Sequence, residues 1–517
     1  MVASRTKLGL YLLFFAVYLL FGAGHFFSTD HVSVYQTTVS LVERGNLAIP
    51  RIIDTVRGQD GNYYSNYGLG QSLALVPWYL VGRFVDGIST PALKSYFGGV
   101  QLDIWGGTVP IFFASLFNQF IMPLLCVLVF LFCLRLGFEY RIALATTLIF
   151  GFSTSAWVYA RDSFQHPLEA LLLLLAIYIL FVHRDDLTYK HALIAGCLLA
   201  LGILTRLNLL LVAPAIAGYL FYILPDYQGA AAASNQEIGW PWLDRLPPDI
   251  RRRLQQVWLK RANDETARYM LVFALPVVVM LALIMYLNQV RFGSALIFNA
   301  AQAWGFSTPL WVGLYGNLFS VGRSIFLYSP PTLLALFTFR MFYRQHRAEA
   351  VLFLAVIVIY LVIYSTFTGW HGGWSWGPRY LMPIVPLLIL PLGYFLTSRW
   401  GNATVGLLAV LGIGVQLLGV TITYDFVYGD WMGMKLVPET AHIFVPELSA
   451  IPTHMRLLAA GRYVDVWVLE VYQQFGLFAF LVTALVPLLI LAASVVLLRG
   501  HHRSRPAHPP QGAQTVM

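Results

Sequence analysis

The chain has 517 residues, of which 58% are hydrophobic and only 11% are charged, whereas soluble domains have about a quarter charged residues. Apolar runs recur along the whole length and indicate a helical integral membrane protein, because a β-barrel would show short alternating segments instead. The net charge of +9 collects in short loops between these runs. Composition therefore excludes a soluble secreted enzyme, an ordinary nucleic-acid-binding protein and a disordered scaffold.

The apolar runs predict an all-α polytopic membrane protein with about twelve transmembrane helices, since a helix needs roughly 20 apolar residues to cross a bilayer. The candidate spans are 8–27, 110–134, 141–160, 167–183, 190–204, 206–224, 269–289, 325–341, 349–366, 380–397, 403–423 and 475–498. The first run is long for a signal peptide and is interpreted as a retained helix. Within 190–224, Thr205 and Arg206 interrupt the apolar pattern. This stretch could therefore form one broken helix or a tight hairpin of two helices.

Basic residues between the runs predict the orientation of the helices. With twelve helices, the arginine-rich loops all fall on one side, which the positive-inside rule assigns to the cytoplasm together with both termini. The chain is predicted to have four parts. Residues 1–225 form an N-terminal transmembrane module with a first outer loop at 28–109, and residues 226–268 form a cytoplasmic basic amphipathic segment. Residues 269–498 form a C-terminal transmembrane module with outer loops, and residues 499–517 form a disordered cytoplasmic tail.

The loops predicted on the outer side are longer and richer in aromatic residues and glycine than the inner ones. They span 28–109, 290–324, 367–379 and 424–474. The apolar stretch 71–84 in the first loop is too short to cross the bilayer and is predicted to be an interfacial helix. This asymmetry places the expected chemistry at the outer face.

Asp30 follows the first predicted helix and is a candidate general base that would take a proton from an acceptor hydroxyl. The alternative is that Thr29 and Asp30 cap the next helix.

A second polar group occupies the predicted outer turn before 167–183. It contains Arg161, Asp162, His166 and Glu169. An acid that enters an apolar helix, as Glu169 does, usually faces a cavity or a partner. A structural pair of Arg161 with Glu169 or with Asp162 is the alternative.

Two further stretches at outer helix ends are candidates for binding an anion or a sugar. Arg323 is a lone charge whose planar guanidinium suits a phosphate, with anchoring to lipid headgroups as the alternative. The stretch 369–380 holds three tryptophans, four glycines, His371 and Arg379. Its tryptophans could stack on a sugar or form an interfacial belt.

The sequence has no Walker A motif, no dinucleotide-binding glycine fingerprint, no HExxH motif and no paired CxxC motif. These absences argue against a nucleotide-driven pump and a zinc enzyme. No cofactor is expected, and a divalent metal is not required.

Several short motifs, taken together and in order, resemble the bacterial integral-membrane glycosyltransferases of the GT-C type, in particular the family 39-like members. This group includes protein O-mannosyltransferases and aminoarabinose transferases. The matching pieces are Thr29-Asp30, Tyr63 through Leu73 with Pro77, Gly196 through Arg206, Gly322-Arg323 with Tyr328-Ser329-Pro330, and Gly373 through Leu381. The chain departs from the pattern at His31, where relatives often have a second acid.

The resemblance implies a glycosyltransferase, hexosyl or pentosyl, that moves a sugar from a polyprenyl-phosphate donor to a protein, lipid or glycan acceptor. The site would face the outside of the bacterial cytoplasmic membrane. The family's catalytic acid falls on Asp30, and Arg323 and Arg379 would stabilise the departing phosphate. The predicted substrate-binding residues are His31, Tyr64, Tyr67, Arg161, Asp162, His166, Glu169, Arg323, His371, Trp374, Trp376, Arg379 and Tyr380.

Two other functions are compatible with the sequence. A transporter or flippase of lipid-linked glycans would place charged residues along the centres of the spans, whereas here they cluster at one face. A non-catalytic subunit of an envelope-assembly complex would tolerate the departure at His31.

Overall fold

Helices make up nearly all of the regular structure in the computed structural model. The structure describes residues 4–53, 55–91, 93–94, 108–224, 264–297, 305–424, 427–428 and 440–503. The predicted amphipathic segment 226–268 lies outside these residues, except that 264–268 begin a helix. The predicted tail is described as far as residue 503, and up to there it continues the last helix.

The first part of the chain ends at residue 224. Its elements, in chain order, are α1 (Ser4–Leu20), α2 (Thr29–Arg44), β1 (Ala48–Ile49), β2 (Thr55–Arg57), β3 (Tyr63–Ser65), α3 (Leu69–Ala74), α4 (Val76–Ile88), α5 (Val109–Ser115), α6 (Phe117–Arg135), α7 (Tyr140–Ser153), α8 (Ala156–Arg161), α9 (His166–Val182), α10 (Tyr189–Thr205) and α11 (Leu209–Ile223). The first predicted span is therefore shorter than expected, because α1 ends at Leu20 and residues 21–28 lead into α2.

The second part begins at residue 264. Its helices are α12 (Asp264–Phe292), α13 (Leu310–Phe319), α14 (Ile325–Tyr328), α15 (Ala335–Gln345), α16 (Arg347–Thr366), α17 (Val385–Ile389), α18 (Arg399–Thr421), α19 (Ala441–Phe444), α20 (Ala450–Ala459) and α21 (Trp467–Arg503). Short 3₁₀ helices lie between some of them, at Pro330–Leu334, Arg379–Ile384, Leu390–Thr397 and Pro446–Leu448.

By length and composition, six helical segments of the described chain could cross a membrane. They are Val109–Arg135, Asp264–Phe292, Arg347–Thr366, Arg379–Thr397, Arg399–Thr421 and Trp467–Arg499. Four shorter apolar helices accompany them, at Tyr140–Ser153, His166–Val182, Tyr189–Thr205 and Leu209–Ile223. The chain is an all-α, multi-pass membrane protein, and the count of twelve spans stays a prediction.

The helices break where the sequence carries helix-breaking residues. The run 190–224 forms two helices, α10 and α11, because the backbone at Arg206 is extended. The run 325–341 is interrupted at Pro330 and Pro331, where a 3₁₀ turn replaces the α-helix. Proline lacks the amide donor that the helix needs. Residues 379–397, with three prolines, wind mainly as 3₁₀ helix for the same reason.

A small antiparallel sheet in the first loop was not predicted from the sequence. Its strand order is β1-β3-β2, with Tyr64 of β3 opposite Ala48 and Val56. The Ser33 hydroxyl of α2 donates to the Ser65 hydroxyl over 2.8 Å, which ties the sheet to that helix. The sheet therefore fixes the chain direction just before Tyr67.

The segment after β3 passes very close to the break between α10 and α11. A Cβ added to Gly68 would lie 2.4 Å from the Leu204 carbonyl oxygen, and one added to Gly70 would lie 2.1 Å from the Thr205 hydroxyl. Glycine is required here because no side chain fits between the two backbones. The first loop and the helix break are thereby held in contact.

We expect Gly70→Ala to destabilise the protein by about 1–3 kcal/mol, because the methyl group overpacks this contact. The measurement is the thermal unfolding midpoint of the purified protein in detergent. Gly87→Ala in α4 is the matched control, since a Cβ there meets nothing within 4 Å. Equal midpoints for the two variants would contradict the close approach.

Candidate active site

A cavity of about 670 Å³ lies between the first loop, the break after α10, the end of α12 and the segment that follows α16. Its polar lining includes Asp30, Tyr67, Arg206, Arg291 and Arg379. The apolar lining residues are Leu210, Leu211, Ile284, Leu287, Ile297, Phe306, Ile363 and Phe367. A cavity with both kinds of wall suits an amphiphilic ligand.

Asp30 lies in the first turn of α2, with its carboxylate directed into the cavity. The helix is capped by Ser28, whose hydroxyl accepts from the Asp30 amide, so Asp30 itself is not the cap. Its Oδ1 accepts from the Tyr67 hydroxyl over 2.6 Å, and its Oδ2 lies 2.9 Å from Arg379 Nη1. Burial would raise the pKa of the Asp30 carboxyl, but Arg379 and Tyr67 outweigh it and hold that pKa below its usual value. Asp30 is therefore ionised at neutral pH.

Arg379 is positioned by the glycine-rich segment before it. Gly372 has φ +72°, and a Cβ there would lie 2.8 Å from Arg379 Cγ, so only glycine allows this packing. The Arg379 guanidinium lies over the rings of Phe164 and Tyr380, at 4.7 and 5.0 Å from their centroids. These contacts leave the guanidinium fixed between Asp30 and the aromatic wall.

A second ion pair adjoins the same cavity; its acid, Glu169, is a predicted site residue, whereas its base, Arg206, is not. Arg206 Nε lies 3.2 Å from Glu169 Oε2. Glu169 is fully buried, and its Oε1 accepts from the Tyr360 hydroxyl and the Asn208 amide, both over 2.6 Å. Arg206 lines the cavity, whereas Glu169 sits behind it. The interruption of the apolar run at Arg206 was the available signal.

The predicted site residues divide into three groups. Those that line the cavity are Asp30, Tyr67, Trp374, Arg379 and Tyr380. Those buried close to the lining residues are His31, Asp162, His166 and Glu169. Those placed away from the cavity lining are Tyr64, Arg161, Arg323, His371 and Trp376. The structure thus brings Asp30 and the 374–380 segment together, although more than 340 residues of chain separate Asp30 from Trp374.

The buried residues near the cavity act through packing and charge. The His31 ring packs between Phe27 and Phe164, and burial lowers its pKa to about 3, so it is neutral. The His166 ring lies 5.7 Å from the Tyr380 ring. Burial raises the pKa of Asp162 to about 7, against the opposing effect of Arg161. None of the three presents its side chain to the cavity as a ligand-binding group.

Arg323 does not fit the predicted phosphate-binding role. It is fully buried, and its guanidinium donates to the backbone carbonyls of Gly322, His371 and Gly373. A further nitrogen meets His442 Nε2 at 2.8 Å. With its donors used in this way, Arg323 holds the shape of the segment that positions Arg379.

Three other predicted residues are also structural in this arrangement. Burial and the nearby Arg323 lower the pKa of His371 to about 4, so its ring is neutral and does not suit the predicted contact with an anion. Trp376 is buried against the rings of Tyr328 and His454. The Tyr64 hydroxyl donates to Asp60 over 2.6 Å in the first loop.

Arg161 belongs to a separate charged cluster that joins three parts of the chain. Its guanidinium donates to the Asp465 carboxylate and to the Thr423 hydroxyl. The other Asp465 oxygen lies 2.8 Å from His25 Nε2. Arg161 therefore pairs with Asp465, and not with Glu169 or Asp162 as the sequence alternative had it.

His25, Asp465 and Glu470 are the group of described residues that could hold a metal ion, with ligand atoms within 4.8 Å of one another. The contact of 2.8 Å between His25 and Asp465 is that of a direct hydrogen bond. Arg161 already neutralises the same carboxylate. In this structure His25, Asp465 and Arg161 form an ion-pair network.

No protein-family model matches the chain, and no curated protein sequence matches it. Among solved structures, the chain is similar to ArnT from Cupriavidus metallidurans bound to undecaprenyl phosphate. The two share 14% sequence identity with a TM-score of 0.49, and the match covers 96% of this chain and 76% of that chain. The same enzyme in the apo state gives 15% identity, coverage of 95% and 75%, and a TM-score of 0.46.

An oligosaccharyltransferase from Archaeoglobus fulgidus, tethered to an acceptor peptide, is also similar. It gives 12% identity, coverage of 80% of this chain and 54% of that chain, and a TM-score of 0.43. ArnT, an aminoarabinose transferase, and this oligosaccharyltransferase are both members of the GT-C group that the sequence motifs resemble.

The His25–Asp465 pair predicts a loss of stability at alkaline pH. Burial would lower the pKa of His25, but Asp465 outweighs it and raises that pKa to about 9. Because the folded-state pKa exceeds the unfolded value of about 6.5, the stabilisation is complete below pH 6.5 and disappears as the pH rises through 9. We expect up to about 3 kcal/mol to be lost over this range.

The measurement is the unfolding midpoint of the wild-type protein and of His25→Gln between pH 6 and pH 10. The wild-type midpoint should fall more steeply than that of His25→Gln. His183→Gln, at a half-buried histidine that pairs with Asp186, should keep the wild-type slope. Parallel curves for wild type and His25→Gln would contradict a charged His25.

Proposed function

We propose that the chain is a glycosyltransferase that moves a sugar from a polyprenyl-phosphate donor to an acceptor at the extracytoplasmic face of the membrane. The observation that carries the proposal is the pairing of an ionised carboxylate, Asp30, with a guanidinium, Arg379, in a cavity that also has an apolar wall. The carboxylate can take a proton from the acceptor hydroxyl. The guanidinium can bind a phosphate, and the apolar wall can contact a prenyl chain. The ordered motifs in the sequence support the same reaction.

The proposed reaction breaks the bond between the anomeric carbon and the phosphate oxygen. The phosphate leaves with the electron pair, the acceptor oxygen forms the new bond to the anomeric carbon, and Asp30 takes the acceptor proton. Arg379 stabilises the negative charge that grows on the leaving phosphate, a role that needs donors fixed in advance. This scheme uses only side chains of the protein and the two substrates.

Arg379 links the two halves of this chemistry because it also holds the pKa of Asp30 down. A phosphate that binds to Arg379 would share its positive charge, and the pKa of Asp30 would then rise towards its usual value. Asp30 would become a stronger base only when the donor is in place. Base strength and donor binding are coupled in this proposal through a single guanidinium.

Arg206 supplies a second positive charge to the same cavity, and Glu169 is the residue that positions it. Trp374 and Tyr380 give the cavity aromatic surface on which a sugar ring can stack. Tyr380 lies close to both charges, since the guanidinium carbons of Arg206 and Arg379 are 5.4 and 5.0 Å from its ring centroid. The donor sugar phosphate is proposed to lie along this wall.

We expect Asp30→Asn to lower turnover by about 10²- to 10⁴-fold, since the amide keeps the shape of the carboxylate but cannot accept the proton. The measurement is the transfer of label from a radiolabelled polyprenyl-phosphate sugar, per folded molecule, by purified protein in lipid nanodiscs. Asp86→Asn is the matched control, because Asp86 lies on α4 in an exposed pair with Lys94. Its turnover should equal that of the wild type.

Each outcome of this assay has a meaning. Transfer by the wild type with near-normal transfer by Asp30→Asn would remove Asp30 from the mechanism. Movement of the labelled lipid across the bilayer, without transfer, would favour the transporter over the enzyme. If the sugar is not transferred and the labelled lipid does not cross the bilayer, the result would favour the non-catalytic subunit.

The proposed orientation places the first loop outside the cell and the loops around Arg135 and Arg344 inside. We expect a cysteine introduced at Gly61, in the exposed turn before β3, to react with a membrane-impermeant thiol reagent in intact cells. A cysteine at Arg344, at the end of α15, should react only after the cells are opened. Labelling in the reverse order would overturn the proposed side of the reaction.

A further inference from the structure

His25, Asp465 and Glu470 lie outside the cavity lining, at the point where the first and the last helices of the chain meet. His25 follows the end of α1, Asp465 precedes α21, and Glu470 lies in the first turn of α21. Ligand atoms of the three side chains all lie within 4.8 Å of one another. His25 and Asp465 are buried, with 9% and 6% of their surfaces exposed. One imidazole and two carboxylates in a buried position form a donor set that suits zinc.

The hydrogen bonds of His25 determine which ring nitrogen faces the other two side chains. Nδ1 lies 2.9 Å from the Phe26 carbonyl oxygen and donates to it, since a carbonyl can only accept. Nε2 lies 2.8 Å from Asp465 Oδ1. A histidine that binds zinc holds its other N–H on a carbonyl or carboxylate in the same way, which fixes the ring and its tautomer. His25 therefore presents Nε2 to the cluster whether that nitrogen carries a proton or a metal ion.

The two oxygens of Asp465 have different neighbours. Oδ2 accepts from the Arg161 guanidinium and from the Thr423 hydroxyl, whereas Oδ1 faces His25. Carboxylates that bind metals are oriented by hydrogen bonds of this kind to the oxygen that does not bind the metal. A metal ion on Oδ1 is therefore compatible with the ion pair between Arg161 and Oδ2.

A metal ion would take the place of the proton between His25 and Asp465. Two ligands of a tetrahedral zinc ion, each about 2.0 Å from it, are about 3.3 Å apart. The contact of 2.8 Å therefore has to open by roughly half an ångström. The proton leaves to solvent, and the carboxylates of Asp465 and Glu470 balance the two charges of the zinc ion. Calcium and magnesium prefer oxygen ligands alone, so the imidazole favours zinc over both.

We propose that His25, Asp465 and Glu470 bind one zinc ion, with a water molecule as the fourth ligand. The ion joins the segment after α1 to the start of α21, and residues 21–28 lead from there into α2. It holds the approach to the helix that carries Asp30 without touching a substrate. The inference is independent of the proposed reaction, and the alkaline loss of stability expected for the His25–Asp465 pair applies to the protein freed of metal.

The sequence carries no compact motif for this site, because its ligands come from opposite ends of the chain. His25 and Asp465 are 440 positions apart. Only the packing of α1 along α21 brings them together.

The test uses the full-length protein in lipid nanodiscs, without a purification tag and freed of metal with EDTA. Zinc binding is measured by titration calorimetry and by the shift of the unfolding midpoint, and Co²⁺ in place of zinc reports the coordination geometry through its visible absorption. Glu470→Gln removes one ligand but leaves both contacts of Asp465 in place. His183→Gln is the matched control, because His183 pairs with Asp186 in a different part of the chain.

We expect the wild type to bind one zinc ion per chain, to unfold at a higher temperature with zinc, and to give the strong absorption of four-coordinate Co²⁺. Glu470→Gln should lose at least about 100-fold in zinc affinity, since replacing even an outer partner of a metal ligand costs about 10- to 100-fold. In EDTA, Glu470→Gln should unfold close to the wild-type temperature. If Glu470→Gln does not fold, His25→Gln provides the same comparison. His183→Gln should bind zinc as the wild type does.

Four results would overturn the inference. Zinc may leave the wild-type midpoint unchanged, a folded Glu470→Gln or His25→Gln variant may bind zinc as tightly as the wild type, or His183→Gln may be the variant that loses zinc. A shift with Ca²⁺ or Mg²⁺ as large as that with zinc would equally contradict a site that depends on the imidazole. All four results leave the transfer of sugar untested, so the proposed function would stand or fall by its own assay.

Discussion

The ion pair between Asp30 and Arg379 is the contact on which the rest of the cavity depends. It joins residues that are 349 positions apart in the chain, and each partner is held in place by its own neighbourhood. Ser28 begins the helix that carries Asp30, Tyr67 bonds the same carboxylate, and Gly372 allows the approach to Arg379. Two charges that are both largely buried stabilise each other only in good geometry, so the pair constrains the folding of both segments.

A second constraint is the distribution of positive charge around the cavity. Three arginines line it, and two of them are neutralised by carboxylates that belong to the protein. The carboxylates occupy different positions, because Asp30 reaches the cavity while Glu169 lies behind it and accepts three contacts. The same residue types therefore serve two purposes: Asp30 is available to a ligand, and Glu169 only orients Arg206.

The sequence predicted the membrane class, the approximate positions of most long apolar helices and part of the candidate site, because these depend on local signals. Apolar runs locate helices directly, and Asp30 and Arg379 stood out as charges at helix ends. What could not be predicted depends on contacts between distant segments. Arg323 looked like a phosphate ligand for the same reason as Arg379, yet the fold turns it inward to backbone carbonyls. Arg206 could not be assigned to the site from the sequence because its partner, Glu169, lies on a different helix.

The packing of α1 has a consequence for the order in which the protein is assembled. This first helix packs along α21, the last one, and the Trp467 indole donates to the Leu19 carbonyl over 2.6 Å. Gly9 and Leu498 also meet closely on the same pair of helices. Because more than 400 residues separate the two helices, α1 is synthesised long before α21. Until α21 has been made, the face of α1 that awaits it must be covered by lipid or by another membrane segment.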